Sequence, residues 1–188
     1  MVRSDDQAAR QKWELRLGLS EHNLSQLVFG SDVGRRSMLG ETTEEQVWQY
    51  IAQELNLNDE TMQDLITDFW SCEQVNAELV QFAQLLRPRY KIAILSNASS
   101  GARQAMRSKF QLDAVFDPMI ISAEEGVKKP DARIFHLAAE RIGIAPREAI
   151  FIDDVSENVK AAQAIGMLGV QFQNTAQAIA EVKEYLGN

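Results

Sequence analysis

The stretch AIFIDDVSENVKAAQAIGMLGVQF, residues 149–172, decides the fold. A short apolar run, 149–153, ends on two adjacent carboxylates, Asp153 and Asp154. The helical segment SENVKAAQAIG follows and closes on a glycine suited to a helix C-cap. A second apolar run, 169–172, comes next. Strand, helix, strand in that order predicts a parallel pair with a crossover helix. The carboxylates raise a question of their own. One aspartate at a helix start accepts backbone N–H bonds and faces the positive end of the dipole. The second needs another reason.

Working upstream, the same alternation recurs. Apolar runs KIAILS (91–96) and PMIIS (118–122) are interleaved with the helical segments GARQAMRSKF and DARIFHLAAERIG. From residue 76 to 188 the chain therefore reads as α/β, a parallel sheet with helices on both faces. Residues 5–75 read differently. Trp13, Leu15, Leu17 and Leu19, then Val47, Tyr50, Ile51 and Leu55, suggest helices, and no convincing strand is visible before Asn76. Thr42 or Thr43 followed by Glu45 or Gln46 forms a capping box that starts one helix, and Asn58 starts another. Trp48, Phe69 and Trp70 are assigned to packing rather than to ligand contact.

Composition bounds the rest. A chain of 188 residues, 45% hydrophobic, buries a real core as one domain or as one domain carrying an insertion. The net charge of −8 and pI near 4.8 argue against nucleic acid or an anionic membrane as a partner, since both need a concentrated positive patch. The longest basic cluster is RPRYK, 87–91. Cys72 alone forms no internal disulfide and no thiolate metal site, which points to a reducing cytoplasm. The N-terminal MVRSDDQAARQKW has no apolar signal core, and no apolar run is long enough to span a bilayer. A cytoplasmic location is expected.

In parallel sheets ligands collect at the carboxyl ends of the strands. Those ends carry Ser96 and Asn97, then Glu124, Lys128 and Lys129, then Asp153 and Asp154. A hydroxyl, an amide, an ammonium and two carboxylates suited to a hard cation are the parts of a phosphate site with Mg²⁺. Each also has a plainer reading. Ser96 and Asn97 can cap the next helix, the lysines can be solvated loop charges, and the aspartates can be a cap plus a surface charge. Three polar clusters falling in order on one edge favour the functional reading.

KIAILSNAS, EEGVKKPDARIFHLAAERIGI, AIFIDDVSENVKAAQAIGM and GVQF resemble motifs two, three and four of the haloacid dehalogenase-like (HAD) hydrolase superfamily. The group is that of phosphatases similar to the N-terminal domain of soluble epoxide hydrolase. The resemblance covers Gln74 to Tyr185, and the preceding helical stretch resembles that group's cap. It implies a Rossmann-like three-layer α/β/α sheet with a helical cap. It also implies a Mg²⁺-dependent phosphatase acting on a small phosphorylated metabolite through an aspartyl-phosphate, with homodimerisation left open. Catalytic roles then fall to Lys129 and Ser96. Ser96, Asn97 and Lys129 bind the phosphoryl group, and Asp153 with Asp154 completes the metal site.

One part of the family pattern is missing. The first strand, ending in Asp-x-Asp or Asp-x-Gly with the nucleophile, does not occur, and VRSDD resembles what normally follows it. Asp5 and Asp6 are poor substitutes, because no apolar strand precedes them and a nucleophile needs placement within about 0.5 Å. In the family fold that strand lies between the runs 91–96 and 149–153. The chain is therefore expected to lack its central strand and to be inactive as written. A gene fragment or misplaced start codon is preferred to a strand from a partner or a degenerate member. The alternatives are a non-catalytic phosphate- and Mg²⁺-binding protein and a 2-haloacid dehalogenase-type hydrolase. Metal-free sites of the last kind usually lack the second acidic position.

Overall fold

The computed structural model describes residues 2–3 and 7–187. After β1 (Val2–Arg3) come α1 (Ala8–Leu17), α2 (Asn23–Ser25), a π-helical turn at Gln26–Gly30, α3 (Asp32–Ser37), α4 (Glu44–Glu54) and α5 (Asp59–Ser71). The capping box resolves to Thr43 and Gln46. Thr43 Oγ1 accepts the Gln46 N–H at 3.2 Å, and Gln46 Oε1 accepts the Thr43 N–H at 2.9 Å. Asn58 caps α5 by accepting the Thr61 N–H. These helices share a core built from Trp13, Leu24, Ile51, Leu65 and Phe69. The aromatics pack as the sequence suggests, with Trp48 edge-on to Phe69 at 5.3 Å and Phe69 perpendicular to Trp70 at 5.0 Å. Such pairs add about 0.5–1.5 kcal/mol beyond simple burial.

One element here is absent from the sequence reading. β1 pairs antiparallel with β2 (Gln74–Val75), Val2 opposite Val75. Two residues are too short to show a strand period, so no pattern announces them.

The second half runs α6 (Ala77–Leu86), β3 (Ile94–Ser96), α7 (Ala102–Ser108), β4 (Met119–Ile121), α8 (Ser122–Glu125), α9 (Ala132–Ile142), β5 (Ile150–Asp153), α10 (Ser156–Ala164), β6 (Leu168–Gln171) and α11 (Thr175–Tyr185). β3 and β4 are parallel, Ile94 opposite Met119, and β5 and β6 are parallel, Ile150 opposite Leu168. Phe135 and Ala139 of α9 and Ala162 of α10 cluster with Leu95 and Phe151. Ala178 and Val182 of α11 cluster with Phe82 of α6, Ile150, Ile152 and Val170. Helices thus cover both faces, which is why the strands read as apolar throughout rather than alternating. The α/β/α layering expected from sequence holds. At Gly169 a side chain is excluded by packing, since an added Cβ would lie 2.7 Å from Val159 Cγ1 of α10.

Three of the four strands are shorter than the apolar runs that announced them: 94–96 against 91–96, 119–121 against 118–122, and 150–153 against 149–153. The last keeps its length and shifts by one residue, 168–171 against 169–172. Pairing along one edge explains the shortening. Among the described residues β3 pairs with β4 and β5 with β6, and no strand joins β3 to β5. All three residues of β4 are buried, whereas every residue of β5 is only half-buried. A cavity of about 690 Å³ opens there, lined by Leu79, Phe82, Ile94, Ser96, Ile150 and Ile152 among others.

The helical half rests on the loops that leave β3 and β4. Gly40, at φ +74°, approaches so closely that a Cβ would lie 2.2 Å from the Ala123 carbonyl oxygen. Ser99 Oγ donates to Glu44 Oε2 at 3.4 Å, and Lys109 Nζ donates to the Trp70 carbonyl at 2.8 Å. Among the described residues no helix is long and apolar enough to cross a membrane.

Candidate functional site

Ser96 closes β3, Asp153 closes β5, and Lys129 stands on the loop between α8 and α9. Ser96, Asn97, Lys129, Asp153 and Asp154 all line one cavity, so the structure brings these five together.

Lys129 is the centre of the cluster. Only 9% exposed, its ammonium donates to Asp153 Oδ2 at 2.7 Å and to the Leu95 carbonyl at 2.9 Å. An ammonium has three N–H donors, so one remains for a ligand. Asn97 fixes the lysine's main chain from both sides. Its Oδ1 accepts the Lys129 N–H at 2.8 Å, and its Nδ2 donates to the Lys129 carbonyl at 2.9 Å. The second N–H of that amide stays available.

Asp153 does two things at once. Its Oδ1 accepts the Val155 N–H at 2.8 Å, opening α10, and also accepts Asn158 Nδ2 at 3.0 Å, while Oδ2 holds Lys129. Asp154 is exposed and makes no hydrogen bond or ion pair within the described residues; the same is true of the Ser96 hydroxyl, although Ser96 is half-buried. The paired carboxylates therefore divide the work, one turned into the protein and one left for solvent or ligand.

The two lysines separate as well. Lys128 is half-exposed and does not line the cavity. Glu124, also placed on this edge by its position after β4, lies outside it. Arg103 Nε donates to Glu124 Oε1 at 2.7 Å, and that hydrogen bond holds the carboxyl below the usual range. α8 turns the chain before Glu124 is reached, which strand-end counting could not show.

Two supporting residues escaped the sequence reading. Asn158 is buried beside Val159 and Ala162, and its signal is a polar residue at a helical position whose spacing calls for a core side chain. Ser122 is fully buried. Its Oγ accepts the Ala98 N–H at 3.0 Å and donates to the Ala98 carbonyl at 3.3 Å, tying the loop after β3 to the end of β4. Ser122→Ala leaves the Ala98 N–H unpaired, while the Ala98 carbonyl keeps the Ala123 N–H at 3.3 Å. It should lower stability by about 1–3 kcal/mol in urea unfolding, and a change within about 0.5 kcal/mol, typical of surface sites, would refute that role.

Among the described residues no three His, Cys, Asp or Glu side chains gather into a protein-only metal cage. Asp154 and the remaining lone pair of Asp153 Oδ2 offer two carboxylate oxygens at one edge. Mg²⁺ commonly takes one or two carboxylates and completes its shell with water and phosphate oxygens, so this donor set fits it.

The family model for haloacid dehalogenase-like hydrolases matches residues 5–166. The sesquiterpene phosphatase astK of Aspergillus oryzae is 37% identical over 73 residues, 39% of this chain and 37% of that protein. The chain likewise spans less than two thirds of the other curated relatives considered. Among solved structures, a HAD-like family hydrolase from Porphyromonas gingivalis superposes with a TM-score of 0.78 at 22% identity, covering 97% of this chain and 91% of that one. A HAD family enzyme from Bacteroides thetaiotaomicron, in complex with magnesium and inorganic phosphate, gives 0.71 at 20% identity, covering 90% and 87%. At these identities the structural likeness is one of fold.

Proposed function

Because the chain belongs to the haloacid dehalogenase-like hydrolases, we propose that Ser96, Asn97, Lys129, Asp153 and Asp154 form the phosphate- and Mg²⁺-binding edge of a phosphatase for a small phosphomonoester. The observation that carries this reading is Lys129, an ammonium taken out of water with one donor unassigned beside a cavity. Burying a charge is costly, and a single carboxylate and carbonyl offset it only in part. An incoming dianion supplies the missing acceptor. Lys129 and Ser96 then donate to the phosphoryl oxygens, while Asn97 keeps the lysine in register. Asp154 with Asp153 would hold Mg²⁺, which offsets negative charge on the phosphoryl group. The phosphatase relative and the neighbour solved with magnesium and phosphate support the same reading.

Turnover needs a nucleophile on this edge. Among the described residues lining the cavity, the remaining carboxylate, Glu148, lies at the opposite end, before β5. Asp5 and Asp6 lie outside the described residues. The described part of this edge binds rather than attacks, and negligible phosphomonoester turnover is the result expected of the 188-residue chain. The exposed second aspartate favours phosphoryl chemistry over a metal-free dehalogenase.

Binding tests this directly. Mg²⁺ with inorganic phosphate, at about 100 times the Kd, should stabilise the chain by about 2.7 kcal/mol, read as a rise in Tm. Asp154→Asn should abolish the rise and leave the ligand-free Tm nearly unchanged, since Asp154 holds nothing in place. An undiminished rise in the variant, or none in the parent, would remove Asp154 from the site.

A further inference from the structure

We propose that Glu44 is a specificity-determining residue that holds an ammonium group on the alcohol portion of the ligand, which makes the ligand class an amino-alcohol phosphate. The inference rests on the phosphate site proposed above and extends it to the helical half. Glu44 stands in the first turn of α4, and its carboxylate reaches the loop that leaves β3. Its Oε2 accepts from Ser99 Oγ and its Oε1 from Trp48 Nε1, each at 3.4 Å. Ser99 lies two residues past Asn97, at most about 7 Å of extended chain away. Gly101 on the same loop leaves room for the carboxylate, since an added Cβ would lie 2.7 Å from Glu44 Oε2. With Gly40 set against the Ala123 carbonyl, α4 is seated on the edge where Ser96 and Asn97 stand.

Two observations set the chemistry. Both contacts of Glu44 are long for hydrogen bonds, so a half-buried carboxylate with about four acceptor positions keeps most of its capacity. The neighbouring cations are committed elsewhere. Arg36 Nε donates to Glu41 at 3.1 Å, Arg103 Nε to Glu124 at 2.7 Å, and Lys109 Nζ to the Trp70 carbonyl at 2.8 Å. The second observation is the sign of the surroundings. Residues 37–86, which build α4 and α5, hold ten Asp and Glu and no Lys, Arg or His. A surface of one sign disfavours a plain phosphate dianion and favours a ligand that brings its own cation. A hydroxyl also donates to a carboxylate, but it gains nothing from that field.

The test is calorimetric binding to the 188-residue chain with Mg²⁺. The probes are inorganic phosphate and the aminoalkyl phosphates of two to four carbons, each set against the hydroxyalkyl phosphate of equal length. At one length or more the amine should bind about ten-fold tighter than the alcohol, the scale of one charge-assisted hydrogen bond. Glu44→Gln keeps an acceptor for Ser99 and Trp48 but removes the charge, and it should erase the preference. Glu45→Gln, one residue on and bonded to Gln49, should retain it. Equal affinity for amine and alcohol at every length overturns the proposal, as does a preference that survives Glu44→Gln. An equal loss in Glu45→Gln assigns the preference to the general field and overturns it as well. Phosphate binding without an amine preference sinks this inference alone, whereas the absence of Mg²⁺-dependent phosphate binding removes the site and the inference together.

Discussion

Lys129→Ala is expected to destabilise the protein by about 3–5 kcal/mol, the cost of leaving a buried charge without its partner. The side chains of the pair are 9% and 7% exposed, so water does little to replace the lost ammonium. Asp153 would keep the Val155 and Asn158 donors but lose the cation, and the Leu95 carbonyl would lose its partner as well. Lys128→Ala, one residue away and half-exposed, should fall within about 0.5 kcal/mol of the parent. Urea unfolding of both variants is the measurement. Similar small losses would mean that the ammonium is more solvated than the geometry indicates.

The second large effect is catalytic. An N-terminal extension supplying an apolar strand that ends in aspartate should convert negligible hydrolysis of a generic phosphomonoester with Mg²⁺ into measurable turnover. It would place a carboxylate beside Lys129 and Asp154. In that extended protein Lys129→Met should lower kcat/KM by about 100-fold or more, the scale of one preorganised electrostatic group, while Lys128→Met stays within a few-fold. Assays run below the lowered Tm separate this loss from unfolding. A folded but inert extended protein would sink the hydrolytic reading. Equal losses at the two lysines would shift the loop by one residue.

Much of this was legible from the chain because local chemistry and long-range order coincide. Thr43, Gln46 and Asn58 start helices through contacts within three residues, which a sequence displays directly. Lys129 was distinguishable from Lys128 through the family resemblance of the stretch EEGVKKPDARIF. What stayed hidden depends on distance. That Asn97 grips the main chain of Lys129, 32 positions away, or that Ser122 ties down Ala98, follows from how the β3 and β4 loops meet. No spacing rule carries that information. Asp153 shows the intermediate case. Its turn onto the Val155 N–H just before α10 could be read from two residues of sequence, whereas its hold on Lys129 could not. The error at Glu124 has the same origin, since position after a strand says nothing about which way a following helix turns.

Among the described residues no strand joins β3 to β5, and this also shapes how the molecule comes apart. β3 and β4 close over about two dozen residues and β5 and β6 over fewer, so each pair is a local unit with little loop entropy to overcome. Among the described residues no ladder of backbone bonds runs across the middle to bind the fates of the two units. What couples them is side-chain packing under α9 and between α6 and α11, together with the stitch from Lys129 to Asp153. Cutting the stitch should therefore loosen the coupling between the two units, with the helix packing left to hold them.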